Sequence, residues 1–359
     1  MKIIPVAQPN IGELEKKYVN DALDSNDISS QGDYIKRFES LFSKKHKAKY
    51  GVACSSGTTA LTLALASLGI KEGDEVIVPD FTMIATAWAV SYLGAKPVFV
   101  DCDERFCIDV SKIEQKITPR TKAIIPVHIY GRVCNMDRIL KIARDYNLKV
   151  VEDSCEVIST PVRGDIACFS LYANKIITSG EGGICITNNE NFAWQMRHLR
   201  SMAFSSGHTF YHPKMGYNFR MTNLQGAIAL AQTERLEEFL KKRKQIEKWY
   251  DQKLNKARGI IKPFKRDVLW MYDLIVHNRD ELIEFLSKNG IETRLFFKPM
   301  ITQPMYREEV KQNMSYSLTI SKNGFYLPTY TQITEKDITY ITDKIKEFYK
   351  NKDSHFKNI

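Results

Sequence analysis

Seven short apolar runs limit how this chain can fold more than any other feature. They lie at Tyr50–Cys54, Glu75–Pro79, Pro97–Asp101, Lys122–Pro126, Lys149–Asp153, Ile166–Ser170 and Ile184–Thr187. Helix-like stretches separate the first five, at Thr58–Leu68, Ile84–Leu93, Val110–Lys116 and Met136–Tyr146. Near-continuous apolar strands are buried on both faces, and their alternation with helices predicts a mostly parallel sheet covered on both sides. Asn135 is placed to cap the last of these helices. The final runs leave no room for helical crossovers, which predicts that one of them runs antiparallel.

The remaining segments frame this sheet. An extended lead-in precedes helical patterns at Ile11–Leu23 and in 28–42. Thr222 and Gln225 have the spacing of a capping box, and one long helical pattern follows from Leu224 to Tyr250. Beyond about residue 257, short strand-like runs (Trp270–Val276) mix with helices (Arg279–Lys288, Glu335–Tyr349), and the tail 351–359 reads as frayed. We expect a large domain over 1–240 and a smaller α/β domain over 241–359.

Composition excludes several functions. The formal charge is +10, which suits nucleic acid, anionic surfaces or small anionic substrates. The densest basic run, KKRK at 241–244, falls in the long helical pattern and reads as a solvated helix face, so no nucleic-acid partner is expected. The seven cysteines all lie between Cys54 and Cys185, with no CxxC pair, which points away from structural zinc and disulfides and towards a reducing compartment. The N-terminus lacks the pattern of a signal peptide, and no apolar run reaches spanning length. A cytoplasmic protein with no membrane or metal partner is the expectation.

In open parallel sheets, ligands bind at the carboxyl ends of strands. Three features fall there. The first strand runs through Ser55-Ser56-Gly57-Thr58 into a helix, offering amide N–H groups and hydroxyls to a phosphate. The fifth ends at Glu152-Asp153. The sixth ends at Ser170, just before Lys175, which is followed by a turn with Gly180, Gly182 and Gly183. Read singly, SSGTT is equally a plain helix cap and Asp153 equally a turn cap. A phosphate cradle, a carboxylate and an amine at one sheet edge form a constellation. A desolvated lysine there can lose its proton and attack a carbonyl.

Several ordered motifs carry a family resemblance: SSGTTALTLALASLGIKEGDEVIVP (55–79), GAKPVFVDCD (94–103), VVEDSCE (150–156), the Lys175 stretch, MGYNFRMTNLQGAIALAQ (215–232) and FYLPTY (325–330). Over nearly its whole length the chain resembles the nucleotide-sugar aminotransferases of the aspartate-aminotransferase fold, which use pyridoxal 5′-phosphate. The resemblance implies pyridoxal-phosphate-transferase fold type I, with a mostly parallel seven-stranded sheet in the large domain. It implies that Lys175 carries the cofactor and shuttles a proton, and that Asp153 pairs with the pyridine nitrogen. Gly57, Thr58 and Ser170 would hold the phosphate, and Glu156 would sit near the ring hydroxyl. Asn218 would reach the partner's site in a homodimer with a shared active site.

The branch it resembles moves an amino group from L-glutamate to C4 of a nucleotide-linked 4-keto-6-deoxyhexose. GDP-4-keto-6-deoxy-D-mannose is the expected acceptor, with a UDP-linked sugar or a catalytically inactive sugar-binding relative as alternatives. A sugar 3-dehydratase would carry histidine at the position of Lys175. Some positions depart from the family. Met83 stands where an aromatic residue usually stacks on the cofactor ring, with Trp88 one turn on either compensating or in the core. The segment from Glu156 to Phe169 is short, and Ile301 replaces a histidine. His128 and Tyr130 match the family, with a structural role equally open for His128. Arg220 and Arg294 are candidates for the substrate diphosphate.

Overall fold

The computed structural model describes residues 3–158, 161–205, 210–261, 265–309 and 314–356. Helices α1 (Glu13–Asp24) and α2 (Asp33–Lys45) lead into strand β1 (Tyr50–Cys54) and helix α3 (Gly57–Ser67). Then come β2 (Glu75–Pro79), α4 (Ala85–Ser91), β3 (Lys96–Val100), β4 (Thr121–Ile124), α5 (Met136–Asp145), β5 (Lys149–Asp153), β6 (Ile166–Ser170) and β7 (Gly183–Thr187). These strands form one sheet in the order β1-β7-β6-β5-β4-β2-β3. Only β7 is antiparallel, pairing with both β1 and β6, as the short connections predict.

Both faces of the sheet are covered because the middle positions of its strands are apolar in near-continuous runs. Along β1, Ala53 packs into one core with Phe38, Phe42 and Ile184, whereas Val52 and Cys54 pack into the other with Leu61 and Ala64. The two-residue period of a strand thus feeds two cores at once. Helix α3 has small and apolar residues around most of its surface and is buried along most of its length. Asn135 caps α5 through the Arg138 N–H. The stretch Val110–Lys116 differs from its expected helix: it forms two single 3-10 turns. The eight residues between Asp109, which caps the first turn, and the Thr118-Pro119 corner give helix nucleation little to repay it.

Helices α6 (Glu190–Arg200), α7 (Asn223–Glu234) and α8 (Leu236–Lys253) follow. The capping box of Thr222 and Gln225 opens α7. The single long helix expected here is broken at Arg235, whose guanidinium reaches both oxygens of buried Glu15 at 2.9 and 3.0 Å. In the KKRK run, Arg243 is buried rather than solvated, and its guanidinium donates to the carbonyls of Leu269 and Trp270. Burial lowers its pKa to about 10.

A second sheet contains β8 (Ile260–Ile261), β9 (Tyr272–Val276), β10 (Arg294–Leu295) and β11 (Gly324–Leu327), all antiparallel, in the order β10-β11-β9-β8. Helices α9 (Arg279–Lys288), α10 (Ser315–Asn323) and α11 (Glu335–Phe356) complete it. The tail expected to fray is helical to Phe356, and 357–359 lie outside the described residues, as do Met1 and Lys2. Ile4 pairs with Ile291 and packs into the core of this second sheet. Carboxylates at the edge of the first sheet grip α10: Asp101 accepts from the Tyr316 and Ser317 N–H groups, and Asp80 from the Ser317 hydroxyl. Acids at a helix N-terminus satisfy its free N–H groups and its dipole.

His46 ends α2 inside the core, stacked on Phe42 at 4.2 Å between centroids, with Nδ1 2.8 Å from the Phe42 carbonyl. Burial depresses its pKa from 6.5 to about 4. Its stabilising contribution is therefore complete above the unfolded value and lost as pH falls towards the folded one. Between about pH 7 and pH 5 this amounts to roughly 2 kcal/mol. A His46→Gln variant should lose correspondingly less stability over that range, as read by denaturant unfolding at the two pH values.

Candidate active site

Every strand of the first sheet that contributes to the site does so at its carboxyl end. Gly57 and Thr58 open α3 directly after β1, Met83 follows β2, and Asp153 ends β5. Glu156 lies in the turn after it, Ser170 ends β6, and Lys175 sits in the loop between β6 and β7. All seven line one cavity of about 380 Å³, together with Arg294, Phe297 and Tyr326 from the second sheet's side. The constellation expected at one sheet edge is thus assembled in space.

The cradle comes from helix capping. Ser56 Oγ accepts from the Thr59 N–H at 3.1 Å, and the Ser56 carbonyl accepts from Ala60. Among the described residues, the Gly57 and Thr58 N–H groups are left for a ligand, at the positive end of the helix. Glycine is required there: a Cβ at Gly57 would stand 2.8 Å from the Ser170 Cβ and 3.1 Å from the Cys155 Sγ.

Asp153 is buried and held at both oxygens. The Thr86 hydroxyl donates to Oδ2 at 2.8 Å, and the Cys155 N–H donates to Oδ1 at 3.1 Å. Glu156 accepts from the Tyr130 N–H at 2.8 Å. Tyr130 adopts φ 47°, a left-handed conformation that is costly for a bulky residue, and burial among Phe81, Trp270 and Phe296 holds it there. Burial pushes the Glu156 carboxyl up to about 7, against the opposing pull of Lys175. The Lys175 Nζ stands 4.1 Å from the centroid of the Trp270 ring.

Other expected positions fall outside the cavity. Asn218 is exposed and bridged to Ser201. Trp88 packs against the core beside Tyr92, and Thr82, the half-exposed Met83 and Ala85 line the cavity from that segment. The Ile301 side chain packs against the core, and its N–H donates to Asp80. His128 is fully buried and structural: its Nε2 meets Glu152 at 3.0 Å, and its Nδ1 accepts from the Cys134 N–H. The same Glu152 accepts from the Arg163 and Gly164 N–H groups, which anchors the shortened segment after Glu156; residues 159–160 lie outside the described residues. Arg294 lines the cavity, whereas Arg220 does not. The sequence carried no signal for Thr86, Asn174 or Trp270. Each is a polar or aromatic residue in a segment whose pattern reports only its packing.

The DegT/DnrJ/EryC1/StrS aminotransferase family pattern matches residues 9–346. The chain belongs to this family. It is 43% identical to the GDP-perosamine synthase of Caulobacter vibrioides, covering 93% of this chain and 95% of that one. It is 40% identical to the GDP-perosamine synthase of Escherichia coli O157:H7, covering 98% and 100%. Among solved structures, the pyridoxal phosphate form of the putative sugar aminotransferase Spr1654 from Streptococcus pneumoniae superposes with a TM-score of 0.89. It is 27% identical, with 96% and 98% of the two chains covered. The protein is therefore a pyridoxal-phosphate-dependent aminotransferase of fold type I. Its residues fit that cofactor: the glycine cradle has no room for a Cβ, and Asn174 Oδ1, on the cavity wall, is buried without a hydrogen-bond partner among the described residues.

Because burial raises the Glu156 pKa from 4.5 to about 7, its contribution to folding is complete below the unfolded value and lost as pH rises through the folded one. The cofactor-free protein should lose roughly 3 kcal/mol between about pH 5 and pH 8 from this group. Glu156→Gln, which imitates the protonated carboxyl, should remove that part of the loss in parallel unfolding measurements.

Proposed function

We propose that this chain moves the amino group of L-glutamate to C4 of a GDP-linked 4-keto-6-deoxyhexose, with GDP-4-keto-6-deoxy-D-mannose as acceptor. What supports it most is the near full-length similarity to two proteins named GDP-perosamine synthase, joined to a cavity that unites Lys175, Asp153 and the α3 N-terminus. Bound pyridoxal phosphate supplies the electron sink through which amino transfer proceeds. The N–H groups of Gly57 and Thr58 and the Ser170 hydroxyl would hold its phosphate. Asp153, fixed by Thr86 and Cys155, would keep a proton on the ring nitrogen. Glu156 would face the ring hydroxyl, and the Met83 thioether would pack on the ring more loosely than an aromatic side chain.

Lys175 would hold the cofactor through Nζ. Its free amine would take the proton from the donor's α-carbon, and in the return half would deliver one to C4 of the sugar. Acid–base help of this kind is worth roughly 10²–10⁴-fold. Arg294 supplies positive charge at the cavity for the substrate diphosphate. The chain acts as a homodimer: Asn218 is exposed, and its segment carries Phe210 and Met215, 86% and 89% exposed, which suits a surface covered by a second copy. Among the described residues, no helix is long and apolar enough to cross a membrane, which agrees with a cytoplasmic site of action.

Purified enzyme supplied with L-glutamate should aminate the GDP-linked 4-keto-6-deoxyhexose at C4, as read by mass and NMR of the product. Amination of only the UDP-linked sugar would move the UDP reading to first place, and no product with either would favour the inactive relative. Lys175→Ala should lower turnover by at least roughly 10²–10⁴-fold. Gly57→Val should weaken cofactor binding by about tenfold or more, since the new side chain fills the cradle. Titration of the cofactor-free variant with pyridoxal phosphate measures this.

A further inference from the structure

Trp270 has no part in the reading above, yet it makes the most specific contact of Lys175. The ring is 2% exposed and its centroid lies 4.1 Å from the Lys175 Nζ. The indole N–H donates at 3.0 Å to the carbonyl of Asn174, the residue immediately before Lys175. Trp270 thus holds both the tip of the lysine and the backbone that carries it.

The ring is itself fixed from several directions. It stacks on Tyr130 at 5.9 Å with 27° between planes. The Trp270 carbonyl accepts from the buried Arg243 guanidinium. Three residues earlier, the Asp267 and Val268 N–H groups both donate to the Gly131 carbonyl, at 2.9 and 3.0 Å. Gly131 has φ 83°, and a Cβ there would stand 1.8 Å from the Val268 carbonyl oxygen, so this segment is stapled as closely to the large sheet's loop as glycine allows.

We propose that Trp270 is the positioning residue for Lys175. Its indole face holds the ammonium, and its N–H fixes the adjoining backbone, so the amine keeps one place in the cavity whenever it is not joined to the cofactor. A π face suits this task because it attracts a cation without being able to take its proton, which a carboxylate in salt-bridge contact could do. The inference rests on Lys175 being the cofactor-bearing residue proposed above.

The test uses the full chain freed of cofactor. Lys175 is reductively methylated with formaldehyde and cyanoborohydride at fixed pH, and its rate is read by peptide mass against that of exposed Lys16. Only the uncharged amine reacts. Trp270→Met, which keeps bulk without a π face, should speed Lys175 by roughly three- to tenfold. Trp270→Phe, which keeps a weaker π face, should lie between it and the wild type. Equal acceleration in both variants would mean that the residue only packs, and no acceleration would remove the contact altogether; either result overturns the proposal. If neither variant folds, Lys175→Met decides: loss of the ammonium should change the tryptophan emission, and unchanged emission refutes the contact. Borohydride reduction of the wild type with pyridoxal phosphate tests the underlying reading separately. Label absent from Lys175 would sink that reading without altering the order of methylation rates.

Discussion

A lysine and two carboxylates in one cavity are the constraint around which this structure is arranged. Lys175, Asp153 and Glu156 share walls that an ordinary core would line with apolar groups. Burying charge is unfavourable unless each group is paired or hydrogen-bonded. The chain meets that demand with fixed partners: Thr86 and the Cys155 N–H for Asp153, the Tyr130 N–H for Glu156, and the Trp270 ring for Lys175. The strain at Tyr130 and the raised Glu156 pKa are what remains of the cost.

The second sheet closes the cavity rather than standing apart from it. Asp80 and Asp101 grip the start of α10, and Arg132 meets Asp273 at 2.7 Å with both side chains fully buried. The Gly131–Val268 contact brings Trp270 over the loop that bears Lys175. These ties place Arg294, Phe297 and Tyr326 on the cavity wall. Gly57, Thr58, Asp153 and Lys175 thus come to the cavity from the first sheet, and Arg294, Phe297 and Tyr326 from the second sheet's side.

The parallel sheet was legible because its strands are near-continuous apolar runs, and the residues of the cavity could be grouped because parallel strands deliver their ends to one edge. The antiparallel turn of β7 followed from loop length alone. Periodicity could not show the break at Arg235, since the helical pattern continues through it and the cause is an ion pair with distant Glu15. Nor could it show that Arg243 is buried, because its partners are backbone carbonyls that arrive from residues 269 and 270. Trp88 and Trp270 look alike in the sequence, and only the tertiary path sends the second to the cavity. His128 resembled a site residue because it lies beside the site, one layer behind it.

The central claim is that Lys175 and its neighbours carry out amino transfer from glutamate. The most direct measurement is of 2-oxoglutarate formed when the cofactor-loaded protein is mixed with L-glutamate alone, with the visible absorbance followed in the same sample. The account predicts about one equivalent of 2-oxoglutarate per chain in a single burst, with loss of the visible band, because no sugar is present to complete the cycle. A protein that keeps its visible band and releases no 2-oxoglutarate would contradict it.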